Sequence, residues 1–472
     1  MVFSDPAFLF YFLPVALVSY WAGGWRWRNA YLLAVSVVFY VSGGGSLVFL
    51  VLATAGFTYV SGLLVERHRG SSLGRRTAAV TIGLLLASLV IWKYLGFVVG
   101  QVSALLERMG QQSSVTVSLV LPIAISFYTF QCVSYVVDVR RGEVPAERNP
   151  ITFLCYILFF PQLIAGPIVR FRDVREQLSQ LPTRRWLAFT DGLPRFFWGL
   201  AKKVLIADQA GQIADAAFGI AGYQITVADT VIGVLAYSIQ IYFDFSGYSD
   251  MAIGLSRMFG ITFPENFNRP YSASSVTDFW RRWHISLSTW FRDYVYIPLG
   301  GNRLGSGLLY RNLLIVFVLT GFWHGANWTF LAWGLVHGAA LIGERLTIRS
   351  RDLCGAVWAI SLRLWTLLVV AFGWLLFRSD DLSHAGELLS ALGGGNGFAP
   401  SAVVDASLTP QRILWTGIGA LIFLMPARRS VGETLTSVDP RPALQFVAVT
   451  AGLLASLYVM SSSFSPFLYF QF

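Results

Sequence analysis

The amino-acid sequence predicts an all-α, polytopic membrane protein, and three observations carry that reading. Charged residues make up only 13% of the 472, against about 25% in soluble domains. Hydrophobic residues make up 55%, with sixteen tryptophans. Apolar runs with few or no charges recur along the chain, as a series of bilayer crossings requires. The formal net charge of +10 sits in short loops between these runs, so the positive-inside rule accounts for it and no nucleic-acid partner is implied.

Taken in order, the runs fall at Ala7–Gly24, Asn29–Ser42, Ser46–Val65, Thr77–Gly100, Ser114–Val137 and Asn149–Val169. Further ones lie at Tyr223–Phe243, Asn312–Gly343, Leu353–Phe377, Ile413–Met425 and Pro442–Met460. The first lacks a basic leader and a small-residue cleavage site, so it reads as a retained span. Several are short of the ~20 residues a crossing needs, which predicts tilted, broken or re-entrant segments. Two runs have basic loops on both sides. Asn149–Val169 also contains Pro161, Gly166 and Pro167, which interrupt a helix. Asn312–Gly343 reads as two half-helices of roughly thirteen residues, reaching ~20 Å deep with His324 near the tip. Broken backbone at that depth is tolerated only inside protein or beside water, which puts His324 in a cavity.

Between these, Trp186–Gly222 carries Arg195, Lys202, Lys203 and Asp208 among apolar residues and reads as an interfacial amphipathic helix. Asp244 and Asp250 are expected to pair with arginines such as Arg281 or Arg282. The three cysteines, Cys132, Cys155 and Cys354, have no pairing motif and read as inert fillers. No repeat or long linker divides the chain, so it reads as one unit.

Residues 278–343 hold three of the five histidines. Ser275 followed by Asp278 predicts a helix start. On a continuous helix Trp280, His284, Leu287 and Phe291 share one face, opposite a polar stripe of Arg282, Ser286, Thr289 and Asp293. His284 on that face reads as a core histidine as readily as a functional one. Gly300, Gly301 and Asn302 predict a turn. His324 is an ionisable ring inside a charge-free run, a functional site by default in a membrane. Gly325, Ala326 and Asn327 suit a helix break directly after it. His337 lies roughly 220° around and about 20 Å along an unbroken helix, out of reach of His324. No histidine pair has metal-ligand spacing.

A buried imidazole can take a hydroxyl proton and return it to a leaving thiolate, because its pKa lies near the working pH. Asn327 or the indole N–H of Trp323 or Trp328 could then hold an oxyanion. No nucleophile elbow or Walker-type loop is present. A proton-coupled transporter is the rival of a different class, but intramembrane carboxylates and inverted repeats are lacking in the apolar runs.

The blocks DFWRRWHISLSTWFRDYVYIPLGGNR from Asp278 and NLLIVFVLTGFWHGANWTFLAWGLVHGAALIG from Asn312 are long and distinctive. With them stand LPIAISFYTFQCVSYVVDVRRG from Leu121, FPQLIAGPI from Phe160, YFDFSGYSDMAIGL from Tyr242 and the tail SPFLYFQF. Together they resemble the membrane-bound O-acyltransferase family, in its bacterial alginate O-acetyltransferase branch, over nearly the whole chain. The resemblance implies a single transmembrane domain over 1–472, with a catalytic core at about 120–345. Its fold would be a ring of tilted helices with re-entrant segments around a central cavity, where a cytoplasmic channel and an outer funnel meet. The family's catalytic histidine corresponds to His324, and a second functional histidine of the branch to His284. His337 gains no such support and reads as structural.

By the same resemblance the donor is cytoplasmic acetyl-CoA, used as a substrate, with no resident cofactor. The acceptor is a hydroxyl at the outer face, on an exopolysaccharide such as alginate, reached through a secreted or periplasmic partner of the SGNH type. The location implied is the cell inner membrane. D-alanyl transfer to a wall polymer belongs to a sister branch, which SPFLYFQF and LPIAISFYTF resemble less closely.

Loop charges place the N-terminus and residues 379–411 outside, and residues 166–185 and 345–351 in the cytoplasm. Cysteines introduced at Ser72, Ser179 and Ser350 should therefore react from one side of the membrane, and one at Ser401 from the other. Labelling of positions 72 and 350 from opposite sides would defeat this topology.

Overall fold

The computed structural model describes the chain except residues 24–26, 112–114, 116, 118, 165, 181–184, 304, 348–355, 425–429, 437–440 and 462–472. Arg26, Arg184, Arg349, Arg351, Cys354 and the tail SPFLYFQF thus lie outside the described residues. Every regular element among those described is helical. Among the described residues, five stretches are long and apolar enough to cross a membrane: Arg28–Arg67, Ser72–Arg108, Ser306–His324, Ile360–Arg378 and Pro442–Ser461. The protein is an all-α polytopic membrane protein. Its residues pack into two compact units, Met1–Leu193 with Ala252–Pro264, and Pro194–Met251 with Glu265–Phe472.

The first unit begins with α1 (Leu13–Ala22), α2 (Arg28–Gly44), α3 (Val48–Arg67) and α4 (Ser72–Arg108). Gly45, at φ +54°, folds the apolar stretch Arg28–Arg67 into two helices of 17 and 20 residues. Helix α5 (Ile125–Arg141) is buried on nearly all sides, with the polar Ser126, Thr129, Gln131, Ser134 and Asp138 buried along with its apolar residues. It starts only after Ala124, at φ +62°, so the first part of the run Ser114–Val137 is not part of it. Next come α6 (Pro150–Leu158), α7 (Phe160–Leu163) and α8 (Phe171–Ser179). The expected break in Asn149–Val169 is present. Asn149 caps α6 by accepting from Ile151 N–H at 2.9 Å, and this helix of nine residues rises only about 13 Å. Arg28, at the start of α2, is buried. Its guanidinium donates to the carbonyls of Gln177, Leu178 and Gln180, which the end of α8 leaves unpaired.

The second unit takes in residues 194–201 of α9 (Arg185–Ala201), α10 (Asp208–Phe218) and residues 227–251 of α11 (Val227–Met258). It continues through α12 (Val276–Trp280), α13 (Ile285–Phe291), α14 (Ser306–His324), α15 (Trp328–Thr347) and α16 (Ala356–Arg378). It closes with α17 (Leu382–Ala391), α18 (Ala402–Ser407), α19 (Pro410–Leu424), α20 (Val431–Leu435) and α21 (Pro442–Ser461).

Two expectations are corrected here. The cations at 195–203 do not line an exposed interfacial face, because Arg195, Lys202 and Lys203 are all buried. Arg195 and Lys202 each reach Asp250 at 2.9 Å, and Lys203 reaches Asp244 at 2.8 Å and Asp208 at 2.7 Å. Asp244 and Asp250 are thus paired as anticipated, but not with Arg281 or Arg282; the latter holds Asp278 at 2.9 Å. Buried charges in such a place persist only when matched, since truncating one partner typically costs ~3–5 kcal/mol.

The second correction concerns Asn312–Gly343. It is not a pair of half-helices but the inner part of a hairpin whose arms, α14 and α15, have 19 and 20 residues. Each arm rises about 30 Å, enough to cross the hydrocarbon layer. Glycines set how close the arms come. A Cβ at Gly321 would lie 2.4 Å from the carbonyl oxygen of Phe330, and one at Gly334 2.4 Å from that of Phe317. Gly321→Val and Gly334→Val should each overpack the hairpin at a cost of about 1–3 kcal/mol. Thermal unfolding in detergent would show this as a lowered Tm with less monodisperse protein. A wild-type Tm in both would contradict the close approach.

Candidate active site

Ser275 starts α12 as expected, its Oγ accepting from Asp278 N–H at 3.1 Å. The helix stops at Trp280, however, and does not run on through His284. The chain turns at 281–284, with the N–H groups of Arg282 and Trp283 both donating to Phe279 O at 2.9 and 2.8 Å. His284 takes φ +44° and ψ +55° and begins α13. The single helix with Trp280 and His284 on a shared face is therefore broken by a left-handed residue. Such a conformation costs a non-glycine residue about 1–3 kcal/mol and clusters at functional sites. Two main-chain bonds hold it: Ile285 N–H donates to Asn266 O, and Asn268 N–H to Arg282 O, both at 2.9 Å. Gly300 and Gly301, at φ +102° and +58°, form the turn predicted after the block.

His284 is 0% exposed. Its Nδ1 lies 3.1 Å from Asn266 Oδ1 and 3.4 Å from Ser286 Oγ. Its Nε2 is buried and has no hydrogen-bond partner among the described residues. The ring stands outside the spanning helices, and burial pushes its pKa down to about 3, so it is neutral at physiological pH. Asn266 was not singled out from the sequence, and Ser286 was read as part of the polar stripe opposite His284, whereas the break in the helix brings it to the ring. Asn266 lies eighteen residues before the histidine, at no spacing that marks a partner.

His324 is the last residue of α14, and Gly325 follows in extended backbone, so the predicted break falls where the small residues place it. The ring is 4% exposed and packs against Trp323, Trp333 and Phe377 at centroid distances of 4.9, 5.1 and 5.1 Å. Trp323 also meets His284 at 5.8 Å, so the two candidate histidines flank one indole. Of the three side chains proposed to hold an oxyanion, Trp323 packs against both histidines. Asn327 donates through Nδ2 to Asp380 O at 2.7 Å and accepts at Oδ1 from Thr329 N–H at 3.2 Å, at the start of α15. Trp328 is 49% exposed.

His337 is buried on α15, and its Nδ1 accepts from the Trp280 indole N–H at 3.3 Å. It shares Trp333 with His324, at 5.1 Å, because the hairpin break removes the separation of an unbroken helix. Gly373 leaves it room, since a Cβ there would lie 2.6 Å from His337 Nε2. An opening of about 220 Å³ adjoins the same Trp280. Phe291 and Phe317 line it, together with the exposed Arg281, Arg292 and Arg345. No group of three or more His, Cys, Asp or Glu among the described residues could hold a metal.

These features define a polytopic membrane protein with two imidazoles buried beside a shared tryptophan. The model of the membrane-bound O-acyltransferase family matches residues 111–378. The chain is 40% identical over 493 residues to a protein named as a probable alginate O-acetylase of Pseudomonas putida, covering 100% of both. It is 41% identical over 464 residues to the corresponding protein of Pseudomonas aeruginosa, covering 96% of this chain and 86% of the relative. To a peptidoglycan O-acetyltransferase of Helicobacter pylori it is 35% identical over 432 residues, covering 84% and 81%. The chain belongs to the membrane-bound O-acyltransferase family and is an O-acyltransferase.

The bond to His337 gives it a packing duty. His337→Phe should leave the Trp280 N–H buried without an acceptor, at a cost of about 1–3 kcal/mol. Tm should fall while turnover per folded molecule stays within a few-fold of wild type. A collapse of turnover at unchanged Tm would move His337 into the chemistry.

Proposed function

We propose that this enzyme moves an acetyl group from acetyl-CoA to a hydroxyl of an exopolysaccharide, alginate being the example its relatives' names suggest. The single observation that carries the reading is the pair of buried imidazoles, His284 and His324, on either contact of Trp323. Transfer requires a group that takes the hydroxyl proton as the oxygen attacks the thioester carbonyl carbon. As the C–S bond breaks, the same proton goes to the departing thiolate. His324 is assigned that proton, and Trp323 is placed to shield the site from water. The opening beside Trp280 suits the donor: its apolar wall fits a pantetheine-like arm, and Arg281, Arg292 and Arg345 fit phosphates. No resident cofactor is called for. The acceptor would be presented from outside the cell inner membrane, through a secreted or periplasmic partner of the SGNH type.

His324→Ala should abolish transfer of labelled acetyl groups while the protein reaches the membrane at near-normal level. Loss of one general base typically costs ~10²–10⁴-fold in rate. His284→Ala should also lower the rate, by a smaller factor. Robust acetylation by the His324 variant would refute the mechanism, whereas loss in both variants with falling abundance would reduce the histidines to packing.

A further inference from the structure

We propose that Asn266 is a positioning residue, which holds His284 with its proton on Nδ1 and presents the Nε2 lone pair to a hydroxyl-bearing ligand. The proposal rests on His284 taking part in the transfer. It also divides the labour between the two histidines, making His284 a hydrogen-bond acceptor and leaving the mobile proton to His324.

The hydrogen-bond geometry determines the tautomer step by step. A main-chain N–H can only donate, and that of Ser286 points at Asn266 Oδ1 from 3.2 Å. The Ser286 hydroxyl donates to the same atom at 2.8 Å. The atom is therefore the amide oxygen and not its nitrogen, which settles the side chain's orientation. At the other end Nδ2 donates to Ser249 Oγ at 3.1 Å, as that orientation requires. An amide oxygen cannot donate, so the 3.1 Å contact with His284 Nδ1 is made by a proton on the histidine. A neutral imidazole has only one N–H, and Nε2 is left as an acceptor.

That acceptor is buried and meets no donor among the described residues. Leaving such a group unmatched costs about 1–3 kcal/mol, and a ligand O–H is the kind of group that removes the cost. Asn266 and Ser286 hold the ring's Nδ1 edge, Phe245 of α11 packs edge-on at 4.7 Å, and Trp323 of α14 packs at 5.8 Å.

The choice of an amide behind the ring has a chemical meaning. A carboxylate in that position would fix the same tautomer and also stabilise an imidazolium. Asn266 does the first without the second, so His284 orients a hydroxyl and does not store its proton. The main-chain bonds between 266–268 and 282–285 keep the left-handed turn in place, so the side-chain contact is set by the backbone on both sides.

The chain has five histidines, so ¹⁵N-histidine-labelled protein in detergent gives few signals. The His284 signals are those missing from His284→Gln. Wild-type protein should show His284 with Nδ1 protonated and Nε2 bare, and a protonated Nε2 would overturn the proposal. Asn266→Asp supplies the second arm. The carboxylate should raise the pH at which His284 gains a second proton by about a unit or more, read from the pH dependence of its ¹⁵N signals. An unshifted titration, with His284→Ala slowed, would overturn the role of Asn266 alone. Transfer at the wild-type rate by His284→Ala would instead overturn the part played by His284, whatever Asn266→Asp does.

Discussion

Where Gly321 meets Phe330 and Gly334 meets Phe317, the backbones of α14 and α15 touch through space that no side chain could enter. The arms lie so close that the connection between them must be short, and Gly325 to Asn327 make it in extended and capped backbone. His324 is consequently fixed at the very end of a rigid helix, with Trp323 before it and Trp333 of the returning arm across from it. Loosening the glycine contact would shift the histidine and two of its three aromatic walls together. In lipid this contact matters more than it would in water, because the hydrophobic effect no longer drives helices together and close packing must do so.

Three buried histidines share one aromatic network, yet each has a different neighbour to answer to. His337 answers to an indole N–H, His284 to an amide oxygen, and His324 to three ring faces or edges. A ring held by a hydrogen bond at one nitrogen, as in His337 and His284, is fixed in orientation by that bond as well as by packing.

Local signals in the sequence proved legible where the local chain decides the outcome. Ser275 caps a helix, Gly300 and Gly301 turn, and small residues after His324 break the hairpin. The reading lost accuracy where distant residues decide. A helix through His284 was the natural reading of its spacing, and the main-chain bonds from Asn266 and Asn268 are what oppose it. Lys202 looked solvated because Asp250 lies a full helix away in the chain. The hairpin looked short because Arg311 and Arg345 seemed to bound it, whereas both lie inside the helices, with α14 starting at Ser306 and α15 ending at Thr347. Asn327 has the chemistry of an oxyanion donor, and only the position of Asp380 O reveals that its amide is already engaged.

The buried charges around Arg195 bear on how the chain can be made. Its guanidinium bonds to Asp250, Glu265 and Thr436, the last 241 residues further on. During synthesis from the N-terminus, Arg195 emerges long before any of them. Until Asp250 and Glu265 follow, the guanidinium has no anion among these partners and would be costly to hold in a hydrocarbon environment. The final seating of residues 194–201 must then wait for α11 and the residues beyond it, and completion of the guanidinium's bonds waits for α20. Biogenesis of this unit is thus late and concerted, with an arginine that stays near water until its carboxylates arrive.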